Sequence, residues 1–196
     1  MNCCSQPEPP ILRGPVPLSH LFLRQFIRSG DHVIDATCGN GHDTLLLAEL
    51  VGTRGRVWAF DIQEKALQST SERLSSAGFL ERVELILASH ETIANRCRGT
   101  FRAVTFNLGY LPGGNRDLIT RPESTLAALE QSLKILAPSG VIAITIYPGH
   151  DGGRLEQITV EEWANELCPS DCFVWRMGQL NVQDTAPYFI LIQKAP

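Results

Sequence analysis

The sequence predicts an α/β protein: a seven-stranded, mostly parallel sheet with helices on both faces and a C-terminal antiparallel hairpin. Three observations predict it. Short apolar runs alternate with segments of helical periodicity along most of the chain. Several of those runs end in acidic, amide or glycine-rich turns. The last two, Phe173 to Met177 and Tyr188 to Gln193, have no long helical segment between them, so they pair as a hairpin at one edge.

Leu18, Leu21, Phe22, Phe26 and Ile27 recur at close to 3.6 residues, predicting a helix over 17–28 that starts at Pro17 or Ser19. His32-Val33-Ile34 is a first strand, followed by a helix over Thr44 to Leu50. Arg56 to Asp61 is a second strand, and Glu64 to Leu74 a helix closed by Gly78. Val83 to Ala88 forms a third strand, Glu91 to Arg96 a short helix and Phe101 to Leu108 a fourth strand. Leu126, Leu129, Leu133 and Leu136 share one face of a helix over Pro122 to Leu136. Pro138-Ser139-Gly140 stops that helix and feeds a fifth strand, Val141 to Tyr147, before a helix over Gly153 to Leu167. Residues 1–12 read as a disordered lead, and 13–196 as one domain with no repeat or low-complexity tract.

With 196 residues, 43% hydrophobic and 19% charged, the composition is that of a globular enzyme. No apolar run approaches the roughly 20 residues of a membrane helix, and the first residues lack the basic and apolar regions of a secretory signal. The six cysteines have no C-x-x-C pair, which favours reduced cytoplasmic thiols over a metal site or a disulfide framework. A net charge of −4 does not advertise a nucleic-acid binder. Any RNA contact therefore falls to a local patch, with Arg96, Arg98 and Arg102 or Arg116, Arg121 and Arg154 as candidates against plain solvated charge.

The chemistry is concentrated in Asp35-Ala-Thr-Cys-Gly39-Asn-Gly41-His-Asp43-Thr44, between the first strand and its helix. Gly39 and Gly41 carry no Cβ, so backbone can approach a ligand closely. The dinucleotide pattern G-x-G-x-x-G fails at its third glycine, where Thr44 stands, and no P-loop lysine follows. Asp61, ending the second strand, is placed to accept both hydroxyls of a ribose. A second carboxylate at Asp35 repels phosphates and suits a ligand with an amino group and a sulfonium, which is S-adenosylmethionine. The expected architecture is therefore the Rossmann-like one of class I methyltransferases. The expected cofactor-binding set is Asp35, Thr37, Gly39, Asn40, Gly41, Asp43, Thr44, Asp61, Ile62, Gln63, Ser89, His90 and Asn107. His90 stands where a side chain meets the adenine, and Ser89 is equally read as a helix cap.

Strand four ends in Asn107-Leu-Gly-Tyr110-Leu-Pro-Gly-Gly114, where the transferred methyl would point. Asn107 offers a carbonyl oxygen to an amine and Tyr110 a flat face to a base. The alternative is a tight turn with a buried tyrosine. Strand five ends in Tyr147-Pro-Gly-His150-Asp-Gly-Gly153, with Glu156 one turn into the next helix. An imidazole can exchange a proton near neutral pH, which makes His150 the candidate proton acceptor or amine orienter, with solvent as the alternative acceptor. Asn107, Tyr110 and His150 form the expected catalytic set.

Asp35 to Thr44, Phe106 to Gly114, Tyr147 to Gly153 and the Asn181 to Pro187 segment together resemble the YtqB-like rRNA methylase family, that of the MnmM-type tRNA-modifying methyltransferases. The resemblance runs from Leu18 to Lys194. It implies methyl transfer from S-adenosylmethionine to the exocyclic amine of 5-aminomethyl-2-thiouridine at the tRNA wobble position, with the anticodon loop as substrate. Asn115 stands where the family usually has an acidic residue, and Ala186 where a second proline is common. The alternatives are methylation of rRNA or of a small-molecule or protein amine, a nicotinamide-dependent oxidoreductase, or a nucleotide-binding protein without catalysis. A homodimer is compatible with the sequence.

Overall fold

The computed structural model describes residues 11–109, 113 and 119–196. The chain runs α1 (Pro15–Phe26), β1 (His32–Asp35), α2 (His42–Val51), β2 (Arg56–Asp61), α3 (Glu64–Ala77), β3 (Val83–Leu87), α4 (Ile93–Arg96), β4 (Phe101–Asn107), α5 (Pro122–Ile135), β5 (Leu136–Ile146), α6 (Gly153–Glu166), β6 (Cys172–Met177) and β7 (Tyr188–Lys194). Single 3-10 turns lie at Gly52–Arg54, Leu80–Arg82 and His90–Thr92. The strands form one sheet in the order β3-β2-β1-β4-β5-β7-β6. β1 to β5 are mutually parallel, and β7 runs antiparallel between β5 and β6. The chain winds outward from β1 through β2 to β3, then returns to place β4 on the other side of β1. The carboxyl ends of β1 and β4 therefore flank the point where strand order reverses, the place where such sheets leave a crevice.

Alternation along each strand divides the core between two layers. Val33, Val57, Ala59, Ala103, Val141 and Ala143 pack with Leu23 of α1, Leu46 and Leu47 of α2 and Leu74 of α3. Their neighbours Ile34, Phe60, Val104, Phe106, Ile142 and Ile144 pack with Ile93 of α4, Ala128 and Leu129 of α5 and Val160 of α6. β6, at the sheet edge, exposes Phe173, Val174 and Trp175. No helix among the described residues is long and apolar enough to cross a membrane.

Among the boundaries that differ from expectation, three have a plain local cause. α1 begins at Pro15, ahead of Pro17 and Ser19, because Gly14 takes a positive φ of 81° and Pro15 supplies a preset φ at the first helical position. The helix expected from Glu91 begins as the 3-10 turn His90–Thr92 before becoming α4. The third is the Pro138-Ser139-Gly140 turn, which lies inside β5 instead of before it. Leu136 pairs with Phe101 and Val141 with Ala103, so Ala137 to Gly140 bulges out opposite Arg102. A bulge accommodates Pro138, which has no N–H for the ladder, and Ser139 adopts a φ of 59°. Of the expected lead over 1–12, residues 1–10 lie outside the described residues, while Ile11 and Leu12 are exposed and irregular.

Gly140 is the tight point of that bulge: a Cβ there would lie 2.8 Å from the Ala137 carbonyl oxygen and 2.9 Å from that of Arg102. Both are backbone atoms held by the sheet. Gly140→Ala is expected to cost about 1–3 kcal/mol, read as a lowered urea midpoint at unchanged slope. An unshifted midpoint would contradict this account of the bulge.

Candidate active site

At the switch point a cavity of about 640 Å³ opens between the carboxyl ends of β1, β2, β4 and β5. That volume suits a nucleoside-sized ligand. Its floor is the β1–α2 turn. Gly39 and Gly41 have φ values of 52° and 78°, and the Gly41 N–H donates to the Cys38 carbonyl at 2.8 Å. A Cβ on Gly41 would sit 2.9 Å from the Thr70 backbone, so α3 packs here against bare glycine. Thr37 and Asn107 close the seam between β1 and β4: the Asn107 N–H donates to Thr37 Oγ1 at 2.7 Å.

Three carboxylates surround this turn, each held by a different set of donors. Asp61 accepts the Gly39 N–H at 3.0 Å and the Gln63 N–H at 2.9 Å, which fastens the turn to β2. Burial raises its pKa although those bonds favour the anion. Asp43 is bound on both oxygens: His20 Nε2 donates to Oδ1 at 2.6 Å and Asn107 Nδ2 to Oδ2 at 2.5 Å. Burial pushes its pKa up, but these bonds outweigh burial and hold the carboxyl below its ordinary value. Asp35 is fully buried, accepting from Thr44 Oγ1 at 2.6 Å and from the Thr37 N–H at 3.2 Å. Burial, with the charge of Asp43 added, pushes it up to about 7.

Thr37, Gly39, Asn40, Asp43, Asp61, Ile62, Gln63, Ser89, His90, Asn107 and His150 all line the cavity. Asp35, Gly41 and Thr44 do not. The Thr44 hydroxyl bonds Asp35 beneath the turn, so this pair joins helix to strand where a third glycine would otherwise allow close packing. Of these two carboxyls, Asp43 faces the cavity and its hydrogen bonds favour the anion, whereas Asp35 lies beneath the turn, where burial favours the neutral acid. Tyr110 lies outside the described residues.

His90 is buried with its ring edge-on to Phe106, centroids 5.8 Å apart. Its Nδ1 lies 3.2 Å from the Ala36 carbonyl, which can only accept, and burial lowers the pKa, so the ring is neutral with its lone pair on Nε2. Ser89 both lines the cavity and caps the following turn, accepting the Glu91 N–H at 3.4 Å. His150 Nδ1 lies 2.8 Å from the Asp151 carbonyl, which can only accept, so Nδ1 carries a proton that it donates there.

Residues outside the expected cofactor and catalytic sets also shape the site. Tyr147 and His42 line the cavity, and burial with the charge of Asp43 raises the Tyr147 hydroxyl. Tyr147 ends an apolar run inside a noted motif, so its position was available as a signal. Glu156, buried in α6, accepts from Thr120 and Thr125 hydroxyls at 2.7 Å each. The Thr120 hydroxyl also accepts the Gly109 N–H at 2.8 Å, and the Thr120 N–H donates to the Gly109 carbonyl at 2.9 Å. The two ends of the loop after β4 are thereby clamped together. Arg102 starts β4, at the opposite end of the sheet from the cavity, and pairs there with Asp31. Arg121 follows the lining residue Thr120, and Arg154 lies in the first turn of α6.

Sheet order, antiparallel hairpin and crevice define the class I architecture of S-adenosylmethionine-dependent methyltransferases. Residues 57–193 match the family model described as "Putative rRNA methylase". The chain is 41% identical to the Arabidopsis thaliana chloroplastic tRNA (mnm(5)s(2)U34)-methyltransferase, over 90% of this chain and 68% of that protein. A solved Clostridium thermocellum structure of the same rRNA methylase description superposes with a TM-score of 0.91 at 38% identity, covering 94% of this chain and 99% of that one. SMU.1697c from Streptococcus mutans, determined in complex with SAH, superposes with a TM-score of 0.85 at 37% identity, covering 94% and 99%. The chain belongs to this rRNA methylase family.

The raised Asp35 gives a pH test with a definite sign. Its folded pKa, about 7, exceeds the unfolded value, so the folded state holds the proton longer. Stability from this group is complete below the unfolded pKa and is lost as pH rises toward 7. Asp35→Asn, which keeps a neutral side chain with an acceptor for the Thr37 N–H, is expected to flatten that decline in melting temperature between pH 4 and about 7. An unchanged pH profile would show that Asp35 is ionised in the folded protein.

Proposed function

We propose that the protein transfers a methyl group from S-adenosylmethionine to the 5-aminomethyl group of 5-aminomethyl-2-thiouridine at the wobble position of tRNA. Identity of 41% to a tRNA (mnm(5)s(2)U34)-methyltransferase supports the substrate. The observation that carries the chemistry is the orientation of Asn107. Only its NH₂ can donate to the Asp43 carboxylate, so Oδ1 becomes the acceptor available to an amine.

The cavity fits the cofactor. Asp61 beside the Gly39 turn is suited to ribose hydroxyls, Ile62 and the neutral His90 to the base, and ionised Asp43 to a cationic group. Bound there, S-adenosylmethionine supplies an electrophilic methyl on a sulfonium. The protein's task is then to present an unprotonated amine in line, an orientation effect worth roughly 7–11 kcal/mol. Asn107 Oδ1 accepts one amine N–H, which leaves the nitrogen lone pair directed elsewhere. His150 lines the same cavity, oriented through Nδ1 by the Asp151 carbonyl, and is our candidate to receive the ammonium proton. The Glu156 clamp keeps Gly109 and Thr120 beside these groups. A base in an anticodon loop reaches the site by unstacking, without opening a duplex. With a net charge of −4, RNA contact falls to local cations, and Arg121 and Arg154 are our candidates. The buried, unpaired thiols of Cys38, Cys97 and Cys172 suit a reducing compartment, and we place the reaction in the cytoplasm.

The test is purified protein with labelled methyl donor and three RNAs: aminomethylated tRNA, the same tRNA unmodified, and rRNA. Label is expected only in the aminomethylated tRNA, in its wobble nucleoside; label in rRNA alone would overturn the substrate. His150→Gln is expected to lower kcat by about 100-fold or more with cofactor affinity retained. A wild-type kcat in that variant would assign the proton to solvent.

A further inference from the structure

We propose that His20 is a positioning residue of the methyl-transfer site, acting on Asn107 through the buried carboxylate of Asp43. His20 lies in α1, outside every glycine-rich turn and strand end that forms the site. It is one helical turn beyond Val16, which lines the cavity, so α1 presents both on one face. His20 Nε2 donates to Asp43 Oδ1 at 2.6 Å, and Asn107 Nδ2 donates to Asp43 Oδ2 at 2.5 Å. The carboxylate, with 10% of its side chain exposed, is thus gripped from two elements, α1 and β4, while its own backbone belongs to α2.

A carboxylate with a fixed donor on each oxygen has one orientation. Remove the His20 donor and Oδ1 has lost its anchor, so the group can rotate and the geometry that fixes the Asn107 amide is lost. The consequence is a change of polarity. With Oδ1 toward the cavity, Asn107 accepts from an amine N–H and leaves the nitrogen lone pair available. With the amide flipped, its NH₂ donates to that lone pair and competes with methyl transfer. Loss of His20 should therefore reduce the rate on bound substrate more than substrate affinity.

The inference rests on the amine-methylation reading above, and the experiment separates the two. Two variants of the full chain are compared with wild type. His20→Phe fills the space without a donor, whereas His20→Gln places an N–H near the position of Nε2. The histidine side chain is 29% exposed, so either replacement should fold, as checked by thermal unfolding; His20→Ala replaces the Phe variant if it does not. On aminomethylated tRNA, His20→Phe is expected to lose about 10-fold or more in kcat, with KM for both substrates within about twofold, and His20→Gln to recover most of the loss. In parallel, the Asn107 side-chain amide signal, assigned by ¹H–¹⁵N NMR, should move in His20→Phe and stay near its wild-type position in His20→Gln. A wild-type kcat in His20→Phe, or an unmoved Asn107 signal, overturns the proposal. A moved signal in a protein whose wild type leaves aminomethylated tRNA unmethylated would keep the physical link and reject the reaction it was assigned to.

Discussion

The site depends on holding three carboxylates around one βα turn. Like charges that close cannot all be ionised in a low-dielectric setting without partners. Asp35 lies deepest and goes neutral near pH 7, held by the Thr44 hydroxyl. Asp61 keeps its place through two backbone N–H donors, of which that of Gly39 also binds the turn to β2. Asp43 remains the anion because His20 and Asn107 supply a donor to each oxygen. Moving any of these donors would redistribute charge among all three groups, so turn shape and cavity electrostatics form one coupled system.

That coupling crosses the seam between β1 and β4. Where the strand order reverses, no helix covers the strand ends, and side chains must join them. Thr37 accepts from the Asn107 backbone, and Asp43 accepts from the Asn107 side chain. Asn107 is thus held by backbone and side chain at once, a degree of fixation that a loop residue seldom has. The Glu156 clamp does the equivalent work for the following loop, tying Gly109 to Thr120 from α6. Both devices place the polar atoms of the site on regular elements, where packing restrains them.

Local pattern made most of the fold legible. Asp61 and Asn107 could be placed because each ends an apolar run, and strand ends are where such sheets bind ligands. Gly78 could be read as a cap because a left-handed residue there closes a helix, and it does so with a φ of 74°. The β5 bulge was not legible. Pro138 and Gly140 signal a break, but only the pairing of Leu136 with Phe101 on another strand reveals that the strand has already begun. The protonation of Asp35 was hidden for a similar reason. Its position in the motif is local, whereas its protonation depends on complete burial and on Asp43, which are properties of the folded core. His20 carried no signal, since nothing in an amphipathic helix marks one polar residue as the partner of an aspartate in another element.

An acidic protein acting on RNA must draw its selectivity from somewhere other than the phosphate backbone. Phosphate contacts provide affinity without distinguishing one nucleoside from another, and a net charge of −4 keeps that contribution small. The cavity, by contrast, holds a fixed anion at Asp43 and an acceptor at Asn107. A wobble uridine without its aminomethyl group lacks the amine N–H that Asn107 accepts. Under the proposed reaction, discrimination therefore arises inside the pocket, from polar groups left unmatched by the wrong nucleoside, where the cost of an unmade hydrogen bond is greatest. Weak general attraction then becomes an advantage, because unmodified tRNA that binds poorly also leaves quickly.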